Sequence, residues 1–196
     1  PHIRFHLESH PALLSEDLKA ELQQLPEGLL HLEAGIQSLR EPVLEKCKRL
    51  GKLNDALEGL QFLCSLDNME THADLIAGLP LYRLNEIFED IRILAEFQAG
   101  EIQLESLKLL PGTDMRRRAN ELGIQYAPMP PYEVLRTEDI TPEELQVARR
   151  LSRLLDAFYN TPAWQTLTRE LILNDDTFLY HFLDYLTEAN LIDQPM

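Results

Sequence analysis

Four short runs constrain this chain more than anything else in it: "HIRFHLE" at 2–8, "LLHLEAGIQ" at 29–37, "THADLIAG" at 71–78 and "EIQLESLKLL" at 101–110. Each alternates apolar and polar residues, and alternate residues of a strand share a face. The apolar faces read Ile3, Phe5, Leu7; Leu32, Ala34, Ile36; Ala73, Leu75, Ala77; and Ile102, Leu104. The polar faces read Arg4, His6, Glu8; Glu33, Gly35, Gln37; His72, Asp74; and Gln103, Glu105. Between the runs lie helix-like stretches. "SEDLKAELQQL" at 15–25 opens on Ser15 as an N-cap, and "EPVLEKCKRL" at 41–50 carries Pro42 in its first turn. "LNDALEGLQFLCSL" at 53–66 and "LNEIFEDIRILAEFQ" at 84–98 repeat apolar residues at helical spacing. Strands separated by this much chain need crossover connections, which predicts a parallel sheet.

An antiparallel sheet with one wet side also alternates in this way, but the connections here are too long for it. Parallel sheets are normally covered on both faces and read as continuous apolar runs. One that keeps a polar face needs a special place for it, such as the lumen of a wide or incomplete β/α barrel. Asp74 then points into a lumen and not into a packed core, where an unpaired carboxylate is costly.

After residue 112 the pattern changes. "DMRRRANELG" at 114–123 reads as a helix ended by Gly123, and 124–140 as a proline-rich loop. Thr141, Pro142 and Glu144 form a helix-start signature. That helix is expected over about 142–159, with two more at "PAWQTLTRELIL" and "DTFLYHFLDYLTEANL". The fold class is therefore α/β, a partial TIM-like β/α barrel of four parallel strands, followed by an all-helical C-terminal extension.

The 196 residues carry 18 Lys and Arg against 33 Asp and Glu, a formal net charge of -15. Such a surface repels phosphate backbones, which argues against nucleic acid as a partner. No apolar run approaches the roughly 20 residues of a membrane-spanning helix, and no signal peptide is visible. Cys47 and Cys64 have no Cys or His at ligand spacing, so no metal site is expected in this chain and a reduced, cytoplasmic setting fits. The chain opens on Pro1 in mid-strand, which reads as a piece of a longer protein.

The strand ends carry a resemblance. "EAGIQS" (33–38) and "DLIAGLP" (74–80) in this order resemble the radical S-adenosylmethionine (SAM) superfamily. The branch most like it holds the oxygen-independent coproporphyrinogen oxidases, the Mg-protoporphyrin ester oxidative cyclase-like proteins and the cobalamin-binding radical SAM proteins. "RFHLESHP" (4–11) looks like the preceding strand there and "LESLKLLPGTDMRRRANELGI" (104–124) like the following one. "PPYEVLRTEDITPEEL" (130–145) is similar to a segment of cobalamin-binding members.

The resemblance implies that the four strands are numbers three to six of a six-stranded partial barrel, whose lumen holds SAM and a 4Fe-4S cluster. By the same resemblance, residues 1–123 are the C-terminal half of that barrel, 124–140 a connecting loop and 141–196 a helical extension. It also implies roles. Gln37 and Asp74 match positions that hydrogen-bond the ribose hydroxyls, and a carboxylate suits a vicinal diol. Glu8 matches an acceptor for the methionyl ammonium, and Arg49 a partner of the methionyl carboxylate. Ile76, Gly78 and the main chain of Leu109 and Leu110 match the adenine-contacting strand ends. His6, Glu33, His72 and Glu105 are substrate-side candidates, and Tyr126, Tyr132, Trp164 and Tyr180 offer aromatic surface. No catalytic residue is assigned.

The departure is the cluster motif. Three cysteines at C-x-x-x-C-x-x-C spacing hold the cluster in the family, and this sequence has none. The expected partner is then the upstream half of the same barrel, with or without an upstream cobalamin domain. The parent is expected to cleave SAM to a 5′-deoxyadenosyl radical that abstracts hydrogen from an organic, tetrapyrrole-related substrate. This chain alone is expected to be inactive, and the 2–8 edge to invite self-association. A different class stays open: a non-enzymatic acidic α/β domain with a helical protein-interaction tail. So does an intact β/α enzyme using the carboxylates Glu33 and Asp74.

Overall fold

The computed structural model describes residues 3–193. Four strands form one sheet in chain order: β1 (Phe5–Ser9), β2 (Leu30–Gln37), β3 (Glu70–Ala77) and β4 (Glu101–Ser106), every neighbouring pair parallel. The start of the first expected run, His2, lies outside the described residues. The crossovers are α1 (Glu16–Gln24), α2 (Glu41–Lys46) with α3 (Leu53–Cys64), and α4 (Leu84–Glu96). Ser15 caps α1 by accepting from the Leu18 N–H, and Pro42 sits in the first turn of α2.

The apolar strand faces of β2, β3 and β4 are buried against Leu60 and Leu63 of α3 and Ile87, Ile91 and Leu94 of α4. Each such side chain contributes about 1.5–3 kcal/mol when taken out of water. Helix α3 also lies hard against the 3-10 turn at Pro11–Leu13, because Gly59 has no side chain: a Cβ there would sit 2.1 Å from the Pro11 carbonyl oxygen. On the opposite face Glu8 and Glu105 are exposed, and Glu33, Gln37 and Asp74 are half-buried.

Four features differ from the reading of the sequence. Helices do not cover the whole apolar face, since Ile3, Phe5 and Leu7 are 63%, 51% and 52% exposed. The physical reason is that α1 turns only Leu22 into the core and leaves β1 bare. The helix expected over 114–123 is the single turn α5 (Asp114–Arg117). The fourth strand ends at Ser106, and the proline-rich stretch is not a bare loop. It folds as an antiparallel ribbon, β5 (Gln125–Tyr126) with β6 (Val134–Arg136), and captures the chain beyond β4. The Val134 N–H donates to the Leu107 carbonyl at 2.8 Å, and the Leu109 N–H to the Tyr132 carbonyl at 2.9 Å.

The tail comprises α6 (Pro142–Leu154), a π-helical turn at Leu155–Tyr159, α7 (Pro162–Asn174) and α8 (Phe178–Glu188). Thr141 and Glu144 cap α6 reciprocally, as the sequence signature predicts. The tail also seals the far edge of β4. The Asn160 amide accepts from the Ile102 N–H at 2.9 Å and donates to the Ile102 carbonyl at 3.0 Å, as a paired strand would. The Tyr159 hydroxyl donates to the Ala99 carbonyl at 3.0 Å. Open strand edges are templates for pairing. Among the described residues no strand pairs with the outer side of β1, so the sheet is closed at β4 and open at β1. No helix among the described residues is long and apolar enough to cross a membrane.

Candidate functional site

The C-terminal ends of the strands gather four of the predicted site residues around one backbone position. Gly35 leaves room that three side chains use: a Cβ there would lie 2.8 Å from Gln37 Nε2, 3.3 Å from Arg49 Nη2 and 3.6 Å from Glu8 Oε1. Asp74 is the register partner of Gly35 on β3. Gln37 arrives through an irregularity: Gly35 pairs with Asp74 but Gln37 with Leu75, and Gln37 has φ of +72°. Such a bulge bends a strand end and re-aims its side chain, and a left-handed non-glycine residue is a common mark of a site.

The electrostatics of this cluster are unfinished. Arg49 Nη2 donates to the Gly35 carbonyl at 2.6 Å, but its buried Nε has no partner, and neither has the buried Oδ1 of Asp74. Buried polar atoms are nearly always satisfied, so such exceptions mark where a further group completes the structure. Burial, and then the nearby Glu33, Glu8 and Glu105, push the Asp74 carboxyl up to about 7. Burial lowers the Arg49 guanidinium, and Glu8 opposes that.

Beside the cluster is a pocket of about 180 Å³ lined by Gln37, Arg49 and Ile76 together with Leu44, Cys47, Leu79, Leu107 and Met115. A larger hollow on the tail, of about 390 Å³ between Arg153, Asp156, Ala157 and Thr161, contains none of the predicted residues. Ile76 thus lines a pocket beside Gln37 and Arg49. Gly78, at φ +93°, packs against Val134 instead of lining the pocket. The main chain of Leu109 is engaged by Tyr132 and by Arg116 Nη1, and Leu110 points to solvent. Burial pushes the Cys47 thiol up to about 11, so it lines the pocket as an inert apolar group.

Two loops carry this site, and one buried carboxylate ties them. Asp90 of α4 accepts from the Leu39 N–H at 2.8 Å, Arg40 Nε at 2.8 Å and the Tyr82 hydroxyl at 2.6 Å. Ser38–Arg40 follow Gln37, and Tyr82 follows Gly78, so Asp90 fixes the exits of β2 and β3 together. Burial raises Asp90 above the ordinary carboxylate range, while these donors favour its charged form.

Of the substrate-side candidates, His6, Glu33 and His72 lie lower in the lumen, and Glu105 is level with Ile76. His6 Nε2 and Glu33 Oε1 are 2.8 Å apart, and Glu105 is exposed. His72 is buried, with Gln103 Nε2 2.9 Å from its Nδ1 and Glu101 Oε2 2.8 Å from its Nε2. Packed between His6 and His72 is His31, which is absent from the residues singled out in the sequence. Its signal was the alternation itself, since it precedes Glu33 by two residues. Among the described residues no group of three or more His, Cys, Asp or Glu is arranged to hold a metal ion.

The structure is similar to that of Elp3 from the archaeon Methanocaldococcus infernus, in a form lacking N-terminal residues, with a TM-score of 0.56 and 17% identity over 83% of this chain. It is also similar to TsrM from Kitasatospora setae, a radical SAM methyltransferase. With tryptophan and a SAM analogue bound, that protein gives a TM-score of 0.52 and 16% identity over 69% of this chain. With cobalamin and a [4Fe-4S] cluster bound it gives 0.52 and 18% over 72%. This chain spans 34% of the Elp3 chain and 27% of TsrM. At these identities the likeness is one of fold. Residues 120–195 match a family model described as "Protein of unknown function (DUF4080)". No curated protein matches the chain.

Proposed function

We propose that this chain is the C-terminal part of a radical SAM iron–sulfur enzyme and that its strand ends bind SAM. The observation that carries the reading is the convergence of Glu8, Gln37 and Arg49 on Gly35, with the unpaired Asp74 carboxyl opposite. These residues fit the group. Asp74 and Gln37 would take the ribose hydroxyls, and Glu8 the methionyl ammonium. Arg49 would take the carboxylate through its unpartnered Nε. The pocket floored by Ile76, Leu107 and Met115 offers apolar contact to a ring. Held there, SAM would supply hydrogen-abstraction chemistry towards an organic substrate. The chain's own residues orient that ligand and exclude water.

The three-cysteine cluster motif is not in this sequence, so the cluster would be held by other strands of the parent. The bare apolar residues Ile3, Phe5 and Leu7 and the open edge of β1 are where the upstream half of the barrel would join. TsrM, which holds cobalamin, supports the cobalamin-binding branch at the level of fold. A tetrapyrrole-related substrate and a cytoplasmic setting rest on the resemblance and on the two unpaired cysteines, Cys47 and Cys64.

The 196-residue chain, treated anaerobically with iron, sulfide and dithionite, is expected to acquire no visible cluster absorbance. It is also expected to form no 5′-deoxyadenosine from SAM by chromatography. Turnover by this chain would mean that its own residues hold the cluster and would overturn the proposed division of the barrel.

A further inference from the structure

Outside the barrel, a hollow of about 350 Å³ lies between α4 and the start of α8. Phe88, Glu89, Arg92 and Ile93 line it from α4, and Asp176 and Tyr180 from the tail. Its volume falls within the range of about 300–1,000 Å³ usual for small-molecule sites. Helix α4 covers the apolar side of the sheet through Ile87, Ile91 and Leu94, which separates the hollow from the polar strand ends. The telling member is Arg92. It is half-buried, yet among the described residues its guanidinium has no hydrogen-bond or ion-pair partner, and its Nε is enclosed. The chain has 33 Asp and Glu against 18 Lys and Arg, so acids are not scarce. The two in the hollow are placed otherwise. Glu89 is held by Arg40 at 2.8 Å, and Asp176 is exposed at the rim. A guanidinium offers five N–H donors in a planar fork and no acceptor, so only an acceptor completes it. Without one, a half-buried guanidinium has given up water for nothing. The remaining lining is apolar and aromatic. Phe88 is buried, and Tyr180 stacks on it at 3.7 Å between ring centroids while keeping 36% of its surface exposed.

We propose that this hollow binds a small aromatic carboxylate, with Arg92 holding the carboxylate and Phe88, Ile93 and Tyr180 forming the wall for the ring. A guanidinium fork and a carboxylate meet in two parallel N–H···O bonds, which would give the enclosed Nε its acceptor. Aromatic rings add face or edge contacts to a bound ring beyond the area they bury. A single negative charge suits the hollow better than two. Glu89 and Asp176 border it, so a phosphate dianion would be repelled from both sides, whereas a carboxylate carries the least charge that can still pair with Arg92. Asp176 lies at the exposed rim, where water and salt screen it. The site uses none of the residues assigned to the cofactor. It stands or falls independently of what the strand ends bind.

Benzoate is the probe. Titrated into the 15N-arginine-labelled chain, it is expected to shift the Arg92 Nε–H signal saturably, with a dissociation constant of about 1 mM, as befits so small a ligand. Benzamide keeps the ring without the charge, and inorganic phosphate keeps the charge without the ring. Each should bind at least about tenfold more weakly, the equivalent of one charge-assisted hydrogen bond or one ring contact. Arg92→Met keeps an unbranched side chain and should lower benzoate affinity by the same factor, read from the Tyr180 ring signals. Because Arg92 has no partner to lose, this variant should unfold at the parent's urea midpoint or above it. Benzoate should raise the midpoint of the parent and leave that of the variant unchanged. No saturable shift, binding of benzamide or phosphate as tight as that of benzoate, or undiminished binding to Arg92→Met would overturn the site. A midpoint of Arg92→Met below the parent's would show that Arg92 already has a partner and would overturn it as well.

Discussion

In a protein carrying the complete barrel, Asp74→Ala is expected to weaken SAM binding by about 100-fold while the cluster still assembles. A hydrogen bond from a hydroxyl to a charged acceptor contributes about 1.5–3 kcal/mol, and losing about 2.7 kcal/mol corresponds to that factor. The same position predicts a gain elsewhere. The Asp74 carboxyl stands at about 7 in the folded chain against an ordinary 3.8. The folded state therefore binds more protons than the unfolded one between these values, and stability is lost as pH rises through that window. Asp74→Asn removes the cost. In urea denaturation the variant should match the parent near pH 4 and gain steadily towards pH 7. Above that the advantage should level off at roughly 1–2 kcal/mol, reduced by solvent screening because the carboxyl is partly exposed. Unchanged SAM affinity by calorimetry would remove Asp74 from the site, and a variant less stable at pH 8 would contradict the burial argument.

Asp90→Ala has the largest expected effect on folding, a loss of about 3–5 kcal/mol. Its carboxylate is fully buried, and its removal takes the acceptor from the Tyr82 hydroxyl and the Leu39 N–H and leaves Arg40 only its exposed partner Glu89 and the Glu86 carbonyl. The damage should also be local. Backbone amides of Ser38–Arg40 and of Leu79–Tyr82 should exchange faster, because the exits of β2 and β3 lose their common anchor. A loss below about 1 kcal/mol by urea denaturation would show that the network is dispensable.

The period-two alternation made the four strands, their order and their parallel sense legible, because every crossover was too long for a hairpin. The same alternation placed Glu8, Gln37 and Asp74 on the lumen face. The bulge that brings Gln37 to Gly35 was not legible, since it depends on a single φ value and leaves the alternation unchanged. His31 was readable in principle but lay one step before the motif that drew attention. The ribbon at β5 and β6 was hidden because its strands are two and three residues long, too short to show a period. The bare face of β1 was not readable either. A strand's pattern says which side is apolar, and only the fold says whether a helix reaches it. Asp90 looked like an ordinary polar residue of an amphipathic helix, and only the approach of two distant loops shows what it does.

The most direct measurement is a crystal structure of the full-barrel protein with a SAM analogue bound. A further parallel strand should pair with the open edge of β1, and its crossover helix should cover Ile3, Phe5 and Leu7. The ribose hydroxyls should lie within hydrogen-bond distance of Asp74 and Gln37. An antiparallel neighbour or none at β1, or an analogue bound away from Gly35, would contradict the proposed barrel and its site.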